Sequence, residues 1–156
     1  GHAGRGPSVA KGDPRPMGII VDSSIWVELE RRKLAPADVD AVTGEEPVYV
    51  APPVMAELEY GVQRAATPAQ RYRRAAAVAR IARKPCLIID QQTGTIFGRL
   101  AAELDASGRP HTHRLHDVWL AALALQHNLR ILTLNRKDFE GIPGLEVIVM
   151  PGPATK

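Results

Sequence analysis

The sequence predicts an α/β protein in which a central parallel sheet of about five strands is covered by helices on both faces. Short apolar or β-branched runs at residues 18–21, 48–51, 86–89, 130–134 and 147–150 have the length and composition of buried strands. The stretches between them carry helix-start signals and apolar residues at helical spacing. Strands that alternate with helices in this way pair in parallel through crossovers.

Each element follows from local signals. Gly18, Ile19, Ile20 and Val21 form strand one, which ends at Asp22. Ser23 and Ser24 can cap a helix running to about Lys33. Pro36–Thr43 reads as a second short helix. After strand two, Pro53 suits the first turn of a helix with Val54, Leu58 and Val62 on one face. Thr67 followed by Pro68 opens a helix to about Arg83. Strand three at 86–89 leads into a helix over about 93–106 that Gly108 can close. An alanine- and leucine-rich helix over 117–126 stops near Asn128, and the last two strands follow.

Composition narrows the function classes. Hydrophobic residues are 45% of the chain, which excludes a disordered one, and 156 residues suit a single core. No apolar run approaches the ~20 residues of a membrane helix, and the first residues lack an apolar signal core. A lone cysteine, Cys86, excludes an internal disulfide and fits the cytoplasm; inside its apolar run it is expected to be a buried thiol. Residues 1–16, rich in Gly, Pro and basic side chains, read as a tag or disordered leader, 17–150 as the domain and 151–156 as a short tail. The leader's Arg5, Lys11 and Arg15 against Asp13 supply two of the net +3 charges, so the body is nearly balanced. Its positive charge is nevertheless clustered. Arg64, Arg71, Arg73, Arg74, Arg80, Arg83 and Lys84 lie in a stretch with no acidic residue, which favours a surface that grips nucleic-acid phosphates.

The acidic residues point to chemistry. Asp22 ends strand one, Glu57 lies a turn into the helix after strand two, Asp117 opens the helix before strand four, and Asn135 ends that strand with Asp138 just beyond. In a parallel sheet these positions share the carboxyl edge, where ligands bind. Carboxylates crowded there repel one another unless a hard cation joins them. Magnesium suits such a site, because it takes a few carboxylates, keeps waters and accepts phosphate oxygens; the chemistry implied is metal-assisted phosphodiester hydrolysis. Each acid also has a plainer role available. Asp22 can cap a helix, Glu57 can be a solvated face residue, Asp117 can complement the helix dipole, and Asp138 can hold a turn.

Four segments resemble the motifs of VapC-type PIN domains. Val21-Asp22-Ser23-Ser24-Ile25-Trp26 is similar to the first, Ala56-Glu57-Leu58-Glu59-Tyr60-Gly61 to the second and Asp117-Val118-Trp119-Leu120-Ala121-Ala122 to the third. Leu132-Thr133-Leu134-Asn135-Arg136-Lys137-Asp138-Phe139 is similar to the fourth. The resemblance runs from about Met17 to Met150 and implies a PIN-domain fold. It also implies an Mg²⁺-dependent endoribonuclease toxin, with Mn²⁺ as a substitute, acting on a structured RNA such as tRNA or rRNA. A small cognate antitoxin and a homodimer are implied as well. Carried over by position, Asp22, Glu57 and Asp117 hold the metal, directly or through water, and Ser24 supports the site. Where many members have a fourth acid this chain has Asn135, with Asp138 downstream; either can serve the fourth position.

Other features carry weaker readings. His111, His113, Arg114 and His116 form either a solvated loop, a transition-metal site or a phosphate contact, and their spacing is not a zinc pattern. Trp26 and Trp119 sit in apolar helix segments and suit packing better than base stacking. Two other function classes fit less well: a catalytically weak PIN-like binding module, and a receiver-like signalling domain, which wants paired acids where serines follow Asp22.

Overall fold

The computed structural model describes residues 17–151; the expected leader, 1–16, and tail residues 152–156 lie outside the described residues. In chain order the elements are β1 (Ile19–Val21), α1 (Ser23–Glu30), α2 (Pro36–Thr43), β2 (Val48–Tyr49), α3 (Pro52–Gln63) and α4 (Pro68–Ile81). They are followed by α5 (Gln91–Ala106), α6 (Leu115–His127), β3 (Arg130–Thr133) and β4 (Val147–Val149). Short 3₁₀ turns at His111–His113 and Arg136–Phe139 precede α6 and follow β3.

The sheet is wholly parallel, in the order β2-β1-β3-β4. Ile19 pairs with Val48 on one side and Arg130 on the other. Successive side chains of a strand point to opposite faces, yet Ile19, Ile20, Val21, Ile131, Leu132 and Thr133 are all 0% exposed, so helices cover both faces. The winding direction reverses at β1, which makes the carboxyl ends of β1 and β3 the switch point where a crevice opens. Gly18 admits strand one to this packing: a Cβ there would lie 2.9 Å from both Pro47 O and Tyr49 Cε2.

The sheet has four strands rather than about five. Residues 86–89 make a single parallel bridge, Val50 with Cys86, through Val50 N to Pro85 O (2.9 Å) and Leu87 N to Val50 O (2.8 Å). This segment lies outside β2, so its apolar run is covered from one side only. Ile88 is 74% exposed, and Cys86 is exposed rather than the buried thiol its neighbours predict.

Helix boundaries shift for local reasons. α1 stops at Glu30, before Lys33, because Arg32 adopts φ 61° and the amides of Lys33 and Leu34 both return to Glu28 O. Asp90 caps α5 by accepting from Thr93 N, so that helix starts at Gln91. α6 starts at Leu115, placing Asp117 within its first turn, and ends at Asn128 in the left-handed conformation (φ 55°). Trp26 is buried with Nε1 donating to Val21 O, and Trp119 stacks on Phe97 at 4.1 Å; both tryptophans pack rather than project.

Candidate active site

Asp22 is the fixed centre of the site. It follows β1 directly and caps α1, accepting from Ser23 N at 2.8 Å, so the expected caps Ser23 and Ser24 keep their hydroxyls for other partners. The residue is 4% exposed, where an unpaired carboxylate would be costly. Its Oδ2 accepts from Ser24 Oγ (3.0 Å) and Thr133 Oγ1 (2.7 Å). Those hydroxyls accept in turn from Leu134 N (3.2 Å) and Asn135 N (3.1 Å). Backbone amides at the end of β3 thus fix the direction of both hydroxyl donors, and the donors fix the carboxylate.

The other acids come from separate elements. Glu57, on α3, is exposed; its Oε1 accepts from Ser23 Oγ at 3.0 Å and stands 3.5 Å from His116 Nδ1. Asp117, on α6, is pushed up to about 7, chiefly by burial and then by the charges of Asp138, Asp22 and Glu57, with Arg114 opposing. Asp138, in the 3₁₀ turn after β3, is also raised by burial and by Asp22, again opposed by Arg114. Asp22, Glu57, Asp117, Asp138, Arg114 and His116 line one cleft of about 470 Å³.

Asn135 does not line this cleft. Its side chain is exposed and its Nδ2 donates to Asp138 Oδ1 at 3.2 Å, so of the two candidates for the fourth position it is Asp138 that faces the other acids. None of the basic candidates Arg64, Arg73, Arg80 and Arg83 lines the cleft. Arg73 and Arg74 pair with Glu30 (3.6 and 3.9 Å), Arg74 also donates to Gly61 O, and Arg71 donates to Gln63 Oε1. A stretch without acidic neighbours in sequence therefore has one in space. Arg80, Arg83 and Lys84 border a second cavity of about 570 Å³ beside Trp26.

The histidine-rich loop divides. His111 bonds Asp105 at 3.0 Å and meets Phe97 edge-on, away from His116 in the cleft, while the side chain of His113 lies outside the described residues. Residue type alone singles out neither Ser23 nor Thr133 for the site, and Arg114 and His116 read as members of a polar loop with a metal or phosphate contact as the alternatives. The one available signal was position: Ser23 adjoins Asp22, Thr133 ends the strand beside it, and Arg114 and His116 flank the start of α6.

The donor set fits a divalent cation. Carboxylates from the end of β1, α3, α6 and the 136–139 turn face one space, where burial first and then repulsion raise Asp117. Among the described residues no three His, Cys, Asp or Glu side chains lie close enough together to hold a metal ion by themselves, so these carboxylates would hold one only in part, with water completing its shell.

The PIN domain family model matches residues 19–145. Ribonuclease VapC of Rickettsia bellii is 32% identical over 146 residues, spanning 86% of this chain and 98% of the relative. Ribonuclease VapC5 of Mycobacterium tuberculosis is 29% identical over 129 residues, with 83% and 90% covered. Among solved structures, VapBC2 of Rickettsia felis bound to a promoter DNA fragment shares the fold at a TM-score of 0.74 and 20% identity, over 86% of this chain and 100% of that one. VapBC-5 of Mycobacterium tuberculosis gives a TM-score of 0.67 at 27% identity, over 86% and 99%. The chain belongs to the PIN-domain family, with ribonucleases of the VapC type as its relatives.

Proposed function

We propose that this protein is a divalent-metal-dependent endoribonuclease toxin that hydrolyses phosphodiester bonds of a structured RNA, tRNA or rRNA, and is restrained by a small antitoxin. The carrying observation is the convergence of Asp22, Glu57, Asp117 and Asp138 from four separate elements on one cleft. The names of its relatives, ribonucleases VapC and toxin–antitoxin complexes, support the same reading. Asp22, Glu57, Asp117 and Asp138 would hold Mg²⁺, or Mn²⁺ in its place, directly or through water. When bound, the ion supplies activation of water and neutralisation of charge developing on the phosphate.

The chain's own groups do the rest. Ser24 and Thr133 keep the Asp22 carboxylate from turning, and Ser23 orients Glu57. Asp117, raised to about 7 chiefly by burial, would give up its proton on holding a cation. Substrate affinity must come from elsewhere on the surface, since bare carboxylates repel phosphate; exposed Arg64, Arg80 and Arg83, with Arg73, are the candidates. An antitoxin arginine could enter the cleft in place of the metal through charge-assisted bonds to the same carboxylates. Action in the cytoplasm as a homodimer belongs to the same reading. Among the described residues no helix is long and apolar enough to cross a membrane, and Tyr60 and Ile88 offer exposed apolar surface to a second copy.

The test is an Mg²⁺ titration of RNA cleavage by the wild type and Asp22→Asn, with growth monitored on expression without a partner. Metal-dependent cleavage and growth arrest, both abolished in the variant, are expected. Cleavage that persists in EDTA would refute the metal role, and RNA binding with no cleavage at any metal concentration would make the protein a binding module.

A further inference from the structure

Arg114 lies in the cleft yet belongs to none of the four acidic motifs. It immediately precedes α6, where its carbonyl accepts from Val118 N at 2.9 Å. Its side chain crosses to the turn after β3, donating through Nη2 to the carbonyl of Asp138 and reaching that of Lys137 at 3.5 Å. Nε is buried without a partner, so the two carbonyls and the acidic surroundings set the position of this guanidinium. One nitrogen, Nη2, serves both carbonyls, held there by the rigid plane of the guanidinium, a placement that a flexible lysine ammonium does not reproduce.

Apart from Arg114, the turn is held by the bond from Asn135 Nδ2 to Asp138 Oδ1 at 3.2 Å and by weak backbone bonds. Arg136 and Lys137 are exposed, and the local backbone bonds are long: Asp138 N to Asn135 O at 3.2 Å and Glu140 N to Lys137 O at 3.4 Å. Phe139, 3% exposed, anchors one side of the turn in the core. Asp22, Asp117 and Asp138 bring like charges to one cleft, and the guanidinium of Arg114 lies among them. We propose that Arg114 is a positioning residue of the metal cleft, clamping the 136–139 turn from the start of α6 so that the Asp138 carboxylate faces Asp22 and Asp117. This rests on the metal-dependent reading above.

The experiment measures Mn²⁺ binding to the full chain by electron paramagnetic resonance, for the wild type, Arg114→Lys, Asp138→Asn and the double variant. Arg114→Lys keeps the charge and loses the rigid guanidinium. Each single variant is expected to raise the Mn²⁺ midpoint roughly tenfold, the usual scale for groups that orient metal ligands. The double variant is expected to bind no more weakly than Asp138→Asn alone, because Arg114 acts through Asp138. If lysine does not give folded protein, Arg114→Gln is read on the same Asp138→Asn background with the same expectation. Effects that multiply in the double variant, an unchanged midpoint in Asp138→Asn, or reduced RNA cleavage by Arg114→Lys with its midpoint unaltered would overturn the inference. A wild-type chain that fails to bind Mn²⁺ would instead overturn the metal reading beneath it.

Discussion

Thr133 Oγ1 donates to Asp22 Oδ2 at 2.7 Å, across 111 residues of sequence, and both residues are buried. The bond joins the carboxyl ends of two adjacent strands, so the register of the sheet itself sets the position of the first carboxylate. An acid held in this way does not need the metal to orient it.

Replacing Thr133 by valine keeps its volume and removes the donor. The loss should cost about 1–2 kcal/mol, since Asp22 stays buried with one bond fewer and Asn135 N loses its acceptor. Urea denaturation checks this, and Thr133→Ser should recover most of the loss. A valine variant within about 0.5 kcal/mol of wild type would show that the bond is dispensable.

Asp117 should make the metal-free protein sensitive to pH. Its folded value of about 7 lies above the ordinary 3.8, so the folded state retains a proton that the unfolded chain releases. Stability from this group is therefore full below about 3.8 and is lost as pH rises through about 7. Asp117→Asn removes this group's share of the dependence and leaves the share of Asp138, which is also raised. In EDTA near pH 8 the variant should be more stable by on the order of 1 kcal/mol after allowance for solvent screening, about 2–4 °C in Tm. Equal melting temperatures across the window from about pH 5 to about pH 8 would contradict the assignment. With metal present, affinity should rise over the same window as the proton leaves.

Asn135→Asp would replace a donor to Asp138 with a second carboxylate about 3 Å away. Metal-free stability should fall, while the Mg²⁺ concentration needed for cleavage should drop, because the added charge favours the cation. Isothermal titration and a melt in EDTA measure the two effects. A higher metal requirement would mean that Asn135 serves only to hold Asp138.

The basic helix face can be read through salt. In a cleavage-dead background, Arg73→Ala/Arg80→Ala should reduce the slope of log affinity against log salt on single-stranded RNA by roughly 0.7, one phosphate contact. One contact is expected rather than two because Arg73 shares its charge with Glu30. An unaltered slope would return α4 to an ordinary solvated face.

The sequence alone determined the order of helices and strands and the positions of Asp22, Glu57, Asp117 and Asp138, because caps, prolines and apolar periodicity act over a few residues and a parallel sheet brings strand ends to one edge. Residues 86–89 read as a buried strand for the same reason: local composition makes Ile88 and Ile89 look buried, but the sheet order shows that among the described residues no strand lies beyond them. Contacts between distant elements were decided by the tertiary structure. Thr133 bonds Asp22 because β1 and β3 are neighbours, and Asp138 rather than Asn135 enters the cleft because the 3₁₀ turn rotates one inward and the other out. Arg114 spans from α6 to that turn, and Arg73 and Arg74 find Glu30 on another helix. Such pairings depend on packing between segments tens of residues apart, and no local periodicity encodes them.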